Sequence, residues 1–225
     1  FGYYYTGGLQ RGDNKYFDMA MKGELDKDRL GEFADMTGLL FKYADPQVLI
    51  SGTYDDQLAL WAKGKTAFIT QGNWVDPSLK DYNATFKVGI APLAFTKADM
   101  TSILADCPSW WCVYKDSKNL DAAKKFLDFV ATNEDAQKIL VEEAGMISPY
   151  KNSKVEPKTP LAMDVKKYVD EGKTSSWAWS NMPEGLAQNA IGLVFESYAK
   201  GDITRDQFVE MMQTTIADYV KNKKN

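Results

Sequence analysis

Apolar residues recur at helical spacing from Asp26 onward: Leu30, Phe33, Ala34, Thr37, Leu40 and Phe41 fall on one face, and Pro46 closes the segment. A second helix is predicted from a cap at Asp55 or Asp56, through Leu58, Ala59, Trp61 and Ala62, to a stop at Gly64. Trp61 shares the apolar face of Leu58 and reads as a core residue. Two short strands are then predicted, Thr66 to Thr70 and Phe86 to Ala91, separated by the turn Gln71-Gly72-Asn73-Trp74, and the second stops at Pro92. A third strand is predicted at Trp110 to Tyr114.

Asn119 is the expected cap of a helix carrying Ala122, Ala123, Phe126, Leu127 and Val130, and a cap near Asn133 starts another that Gly145 ends. Three prolines and several lysines mark Ser148 to Pro160 as an exposed connection. Helices are predicted again from Leu161 to about Glu171, from about Pro183 to Lys200, and from Thr204 to about Lys221. Gly201 is the expected stop of the second, and Thr204 with Gln207 forms a capping box for the third. The Gly- and Tyr-rich residues 1 to 23 suggest a loop or short hairpin, with Tyr16 and Phe17 strand-like. Helix, strand, turn and strand in close order argue for an α/β layered fold.

The 225 residues suffice for one large domain or two lobes, with 44% hydrophobic residues and no apolar run of the ~20 residues that a membrane helix needs. Acidic and basic residues, 31 and 27, are interspersed and sum to a formal charge of -4, so no basic stripe exists to neutralise nucleic acid. The basic residues Lys221, Lys223 and Lys224 suit the end of a helix. The chain has no histidine, which removes the commonest general base and metal ligand and weakens most enzyme hypotheses. No catalytic set, metal site or cofactor is assigned.

Cys107 and Cys112 bracket Pro-Ser-Trp-Trp, a spacing too wide for a redox Cys-x-x-Cys and too poor in ligands for zinc. Along a strand they would lie ~16 Å apart, so they read as two separate thiols. The chain starts at Phe1 with neither methionine nor an export signal, which raises the expectation of a cut start.

Aromatic residues stand in predicted turns: Tyr3, Tyr4, Tyr5, Trp74, Trp177 and Trp179. Flat rings stack on the C–H faces of sugars while nearby amides and carboxylates meet the hydroxyls, so the pattern points to a carbohydrate site. Asn73, Asn181, Glu184 and Gln188 are the candidate hydroxyl partners.

The stretch from Ala59 to Trp74 resembles the helix–Gly–strand–Gly-x-Trp segment of extracellular solute-binding proteins of sugar ABC importers, the family that includes maltose-binding protein. Trp111 to Leu127 is similar to a second segment of that family, and Gly145 to Pro149 and Tyr198 to Thr204 to two more. The resemblance implies the carboxyl-terminal lobe of a two-lobed, type II periplasmic-binding-protein-like fold, helix-rich toward the C-terminus. Residues 1–104 and 159–225 would build that lobe, and 105–158 would cross back to an amino-terminal lobe absent from the chain. Phe126, Leu127, Val130, Ile139 and Leu140 would then be exposed or re-paired, which leaves open a dimer or swapped contact.

On the same grounds Trp74 would stack on a sugar and Tyr4 would stand at a cleft edge. Trp110 would lie at a crossover where many members carry Gly-Gly, although Cys107-Pro108-Ser109 stands here, and Trp177 and Trp179 would lie on a variable cleft loop. The implied function is non-catalytic delivery of a mono- or oligosaccharide to an ABC permease by an extracellular or periplasmic protein, lipid-anchored at the cell surface in its full-length form. A glycoside hydrolase, using carboxylates such as Asp55, Asp76 or Glu184, and a stand-alone lectin-like module are the rival readings.

Overall fold

Helices dominate the chain, and they form where their end signals are local. In the computed structural model, which describes residues 1–93, 95–96, 101–107, 109–151 and 153–223, the helix Lys27–Tyr43 begins at Asp26. The Asp26 carboxylate accepts the Arg29 amide at 2.8 Å. Asn133 likewise accepts the Asp135 and Ala136 amides at 3.0 and 3.1 Å, opening Glu134–Lys138. The capping box at Arg205–Lys223 is present in both directions: Thr204 donates its amide to the Gln207 side chain and accepts the Gln207 amide on its hydroxyl. Gly201 ends the preceding helix in the left-handed conformation at φ 78°.

The helix Tyr54–Ala62 is capped at Thr53, two or three positions before the predicted Asp55 or Asp56. Thr53 accepts the Asp56 amide on its hydroxyl, and the Asp56 carboxylate takes the Thr53 amide and hydroxyl at 2.9 and 2.8 Å. Asp56 is therefore the returning half of a capping box.

The three predicted strands do not form. Thr66–Thr70, Phe86–Ala91 and Trp110–Tyr114 carry no strand, and Phe68 is 85% exposed. A strand closes its hydrogen bonds on another segment, so alternation alone cannot establish it. The apolar positions still point inward in part, since Ile69, Val88 and Ile90 pack on a small core. Among the described residues the sheet is a parallel pair, Ile103–Leu104 beside Thr174–Ser175. Residues 1–23 differ too, because Gly2–Thr6 and Lys15–Ala20 are helical.

The chain divides into two compact units, Phe1–Gln57 with Ala91–Ala105 and Gly172–Asn225, and Leu58–Ile90 with Asp106–Glu171. In the first, Tyr4, Tyr5, Leu30, Phe33, Phe208, Met212 and Ile216 make a fully or nearly fully buried core. Its rings pack edge to face, Phe33 against Phe95 at 5.5 Å and Phe195 against Phe208 at 5.1 Å. Arg29 is buried beside them. Its guanidinium donates to the carbonyls of Tyr4, Gly7 and Tyr3 at 2.7, 2.8 and 3.2 Å, and lies over the rings of Tyr16 and Phe95 at 4.2 and 4.7 Å. Backbone dipoles and ring faces thus stand in for the water that burial removes.

The second unit has a smaller core of Leu58, Trp61, Val75 and Leu161. Trp61 is buried, as its helical register predicts. Asp76, also buried, accepts the Leu161 and Ala162 amides at 3.2 and 3.0 Å and so caps the helix Pro160–Asp170 from a distant part of the chain. Phe126 and Ile139 are exposed, Leu127 and Leu140 half-buried, and Val130 buried.

Candidate functional site

Trp74 lies in the second unit on the 3₁₀ turn Asn73–Val75, which follows Gly72. Its indole is 43% exposed and its N–H donates to the side-chain carbonyl of Gln71 at 3.0 Å. The ring lies against Gly72 so closely that a Cβ there would come within 2.3–2.6 Å of three ring atoms. Glycine at position 72 is what lets the indole lie over the backbone. Asn73 is half-buried and donates its side-chain N–H to the Gly145 carbonyl at 2.7 Å, tying the turn to the end of the neighbouring helical segment. Gly145 itself has φ 68°, and a Cβ there would stand 3.3 Å from the Thr159 hydroxyl oxygen. The turn is thus anchored on both sides of an outward-facing ring.

Gln71 did not figure among the sequence candidates. Its position three residues before Trp74, with glycine between, is the signal that could have found it, because a tight turn brings such a pair together.

Trp110 is in the same unit and 76% exposed. Its neighbour Trp111 stacks on Phe126 with centroids 6.0 Å apart and planes 17° from parallel. Both stacked rings are themselves exposed.

The other candidates belong to the first unit. Tyr4, expected at a cleft edge, is instead sealed in the core. Its ring stacks on Phe1 at 4.8 Å, its hydroxyl accepts the Asp26 amide at 2.8 Å, and burial pushes the phenol well above its ordinary 10.0. Burial raises Tyr5 and Tyr3 in the same sense. The helix Gly2–Thr6 turns these side chains inward, whereas a hairpin would have spread them. Tyr4 is a packing residue.

Trp177 and Trp179 are half-buried about the 3₁₀ turn Ala178–Asn181, and Trp179 packs on the first unit's core. Asn181 and Glu184 are exposed, and the Glu184 carbonyl accepts the Tyr219 hydroxyl. Gln188 is exposed on the π-helical turn Ala187–Ile191. These residues follow one another along one surface segment of that unit.

Asp76, one of the carboxylates a glycosidase reading would use, has both oxygens engaged by backbone amides, and Asp56 is held by Thr53. Among the described residues no group of three or more His, Cys, Asp or Glu side chains could hold a metal ion, and no helix is long and apolar enough to cross a membrane.

The family model for bacterial extracellular solute-binding proteins matches residues 2–137. No curated protein matches the chain. The matched region takes in the Trp74 turn, the Trp110–Trp111 segment and the whole of the helix Leu120–Thr132. It covers more than half of the sequence, and the chain therefore belongs to the bacterial extracellular solute-binding proteins, a generally non-catalytic family of periplasmic-binding-protein-like fold whose members serve transporters from outside the cytoplasm.

Proposed function

We propose that the solute is a carbohydrate, a mono- or oligosaccharide, and that the protein delivers it to the membrane permease of an ABC importer without chemistry of its own. The observation that carries this reading is the Trp74 turn: an indole kept partly in solvent, its N–H fixed by Gln71 and its turn anchored through Asn73. A core tryptophan has no need of such a mount. A ring whose flat face must meet a pyranose does, because stacking on C–H groups depends on orientation, and a ring fixed beforehand loses less freedom on binding.

In this reading Trp74 is the stacking residue, and Asn73 and Gln71 position it. Trp110 is a further contact on the same unit. Trp177, Asn181 and Glu184 form a separate set on the other unit, to be tested on their own, while Trp179 serves mainly to pack that turn. Lipid tethering at the cell surface belongs to the same reading and rests on the family resemblance alone.

The deciding experiment is a thermal-shift screen against mono- and oligosaccharides followed by calorimetry, since a ligand that binds only the folded state raises its stability. Trp74→Ala should weaken binding of the sugar found by about tenfold or more, equivalent to ~1.4 kcal/mol. An unchanged Kd would remove Trp74 from the site. Failure of every sugar to stabilise the protein would overturn the carbohydrate reading, and turnover of an aryl glycoside would replace it with hydrolysis.

A further inference from the structure

The residues next to Trp74 each hold a different remote segment of the second unit. Asn73 donates to the Gly145 carbonyl, Val75 is buried in the cluster of Leu58, Trp61 and Leu161, and the Asp76 carboxylate accepts the Leu161 and Ala162 amides at 3.2 and 3.0 Å. The indole between them stays partly in solvent. The helix that Asp76 grips, Pro160–Asp170, grips back: its own Asp164 accepts the Ile90 amide at 2.9 Å. Turn and helix are cross-tied by two carboxylates, one from each side.

The helix does not need Asp76 in order to start. Thr159 stands at its N-cap with extended backbone, a residue type that caps with its own hydroxyl, and Pro160 fills the first helical position with a preset φ. The amides that such a hydroxyl would serve are those of the second and third helical residues, Leu161 and Ala162. Thr159 makes no such cap. Its hydroxyl oxygen is buried without a hydrogen-bond partner among the described residues, and it lies beside Gly145, where a Cβ would meet it at 3.3 Å and the Asp76 Cβ at 3.7 Å. A carboxylate from a distant part of the chain has taken over what a local hydroxyl could do. Either cap would begin the helix, but only Asp76 also fixes the exit of the Trp74 turn, two residues after the ring. The entry is fixed by Gln71, Gly72 and Asn73.

We propose that Asp76 is a positioning residue for solute binding: by holding the Leu161 and Ala162 amides it sets the direction in which Trp74 presents its ring. The proposal rests on the reading of Trp74 as the residue that stacks on a sugar. A binding group must be held to within roughly 10–20° of its productive orientation by the residues behind it, and a ring fixed at one end of its turn alone is free to swing. Asp76 touches no solute itself. It acts through the backbone it shares with Trp74.

The test uses protein labelled with 5-fluorotryptophan, whose six indoles give six fluorine signals, that of Trp74 being assigned by its loss in Trp74→Phe. In sugar-free protein Asp76→Ala should shift or broaden the Trp74 signal. Val130→Ala, which trims a buried side chain of the same unit outside the Leu58–Trp61–Val75–Leu161 cluster, should leave it unmoved. Calorimetry with the best-stabilising member of a panel of glucose, galactose, mannose, xylose and their linear oligomers should then show binding about tenfold weaker in Asp76→Ala and unchanged in Val130→Ala. Asp76→Asn, which keeps one acceptor oxygen, should fall between in both readouts, and it carries the test alone if Asp76→Ala does not fold. A Trp74 signal unmoved in the Asp76 variants overturns the proposal, as does an equal shift in Val130→Ala, the mark of general loosening. An affinity kept in Asp76→Ala but lost in Trp74→Ala overturns it as well. If no sugar of the panel binds, a displaced Trp74 signal upholds the positioning role while the carbohydrate reading falls, so the two failures are told apart.

Discussion

The two units bury their aromatic residues to very different degrees. In the first, Tyr4, Tyr5, Phe33 and Phe208 are enclosed, and even a cation, Arg29, is taken inside and matched with carbonyls and ring faces. In the second, the fixed points are the Leu58–Trp61–Val75–Leu161 cluster and the Asp76 cap, while Phe68, Trp110, Trp111, Tyr114, Phe126 and Phe129 stand in solvent. One unit spends its rings on stability. The other keeps several of them outward, where a ring can meet a ligand or another surface.

The sharpest way to break this contrast is a matched pair of truncations. Phe208→Ala should destabilise the first unit by about 3–5 kcal/mol, and Phe126→Ala should change stability by about 0.5 kcal/mol or less, as read by urea unfolding with hydrogen exchange resolved along the chain. Equal effects would mean that the exposed rings are as structural as the buried ones.

Next in size is Arg29→Met, which keeps the length of the side chain but leaves the Tyr4 and Gly7 carbonyls without their donor. A loss of about 1–3 kcal/mol is expected, confined to the first unit.

Alkaline pH sharpens the comparison without mutation. Burial raises the phenols of Tyr3, Tyr4 and Tyr5 above the ordinary value of 10.0, so the folded state holds those protons after the unfolded chain has released them. Their contribution is constant below pH 10.0 and falls as pH rises above it, because the unfolded chain then binds fewer protons than the folded one. Equilibrium unfolding followed from pH 8 to 11 should show the first unit weakening above about pH 10. A stability curve flat across that range would mean that the phenols are not desolvated.

The smallest change expected in stability is at Gly72→Ala, where the methyl group must displace the Trp74 ring. Folding should shift by about 0.5 kcal/mol or less, since an exposed ring can swing away, while near-ultraviolet circular dichroism and ligand affinity should both change. An unaltered indole signal would contradict the close packing at this turn.

What could be read from the sequence follows the range over which each feature is decided. Asp26, Asn133, Gly201 and the Thr204–Gln207 pair act on residues at most four positions away, and each does what its residue type predicts. The run Tyr3-Tyr4-Tyr5 fits neither period, and the glycines around it resemble turn punctuation, so its burial is settled by remote partners such as Phe33 and Arg29. The same holds for the three strands that do not form and for Ile103–Leu104, whose partner lies some seventy residues on. At the candidate site, the exposure of Trp74 was legible from the Gly-Asn-Trp turn. Its hold on Gln71 lies within the same turn and had a local signal, whereas the bond from Asn73 to Gly145 had none, because it joins residues 72 positions apart.

The Asp76 cap also orders events during synthesis. Its two amide partners lie 85 and 86 residues downstream, so a ribosome must extend the chain well past residue 162 before the carboxylate just beyond the Trp74 turn can find them. Until then the nascent second unit carries an unpaired carboxylate and a Leu58–Trp61–Val75 cluster still open where Leu161 will pack, a sticky interval in which exporting the chain unfolded, or shielding it with a chaperone, would protect it from aggregation.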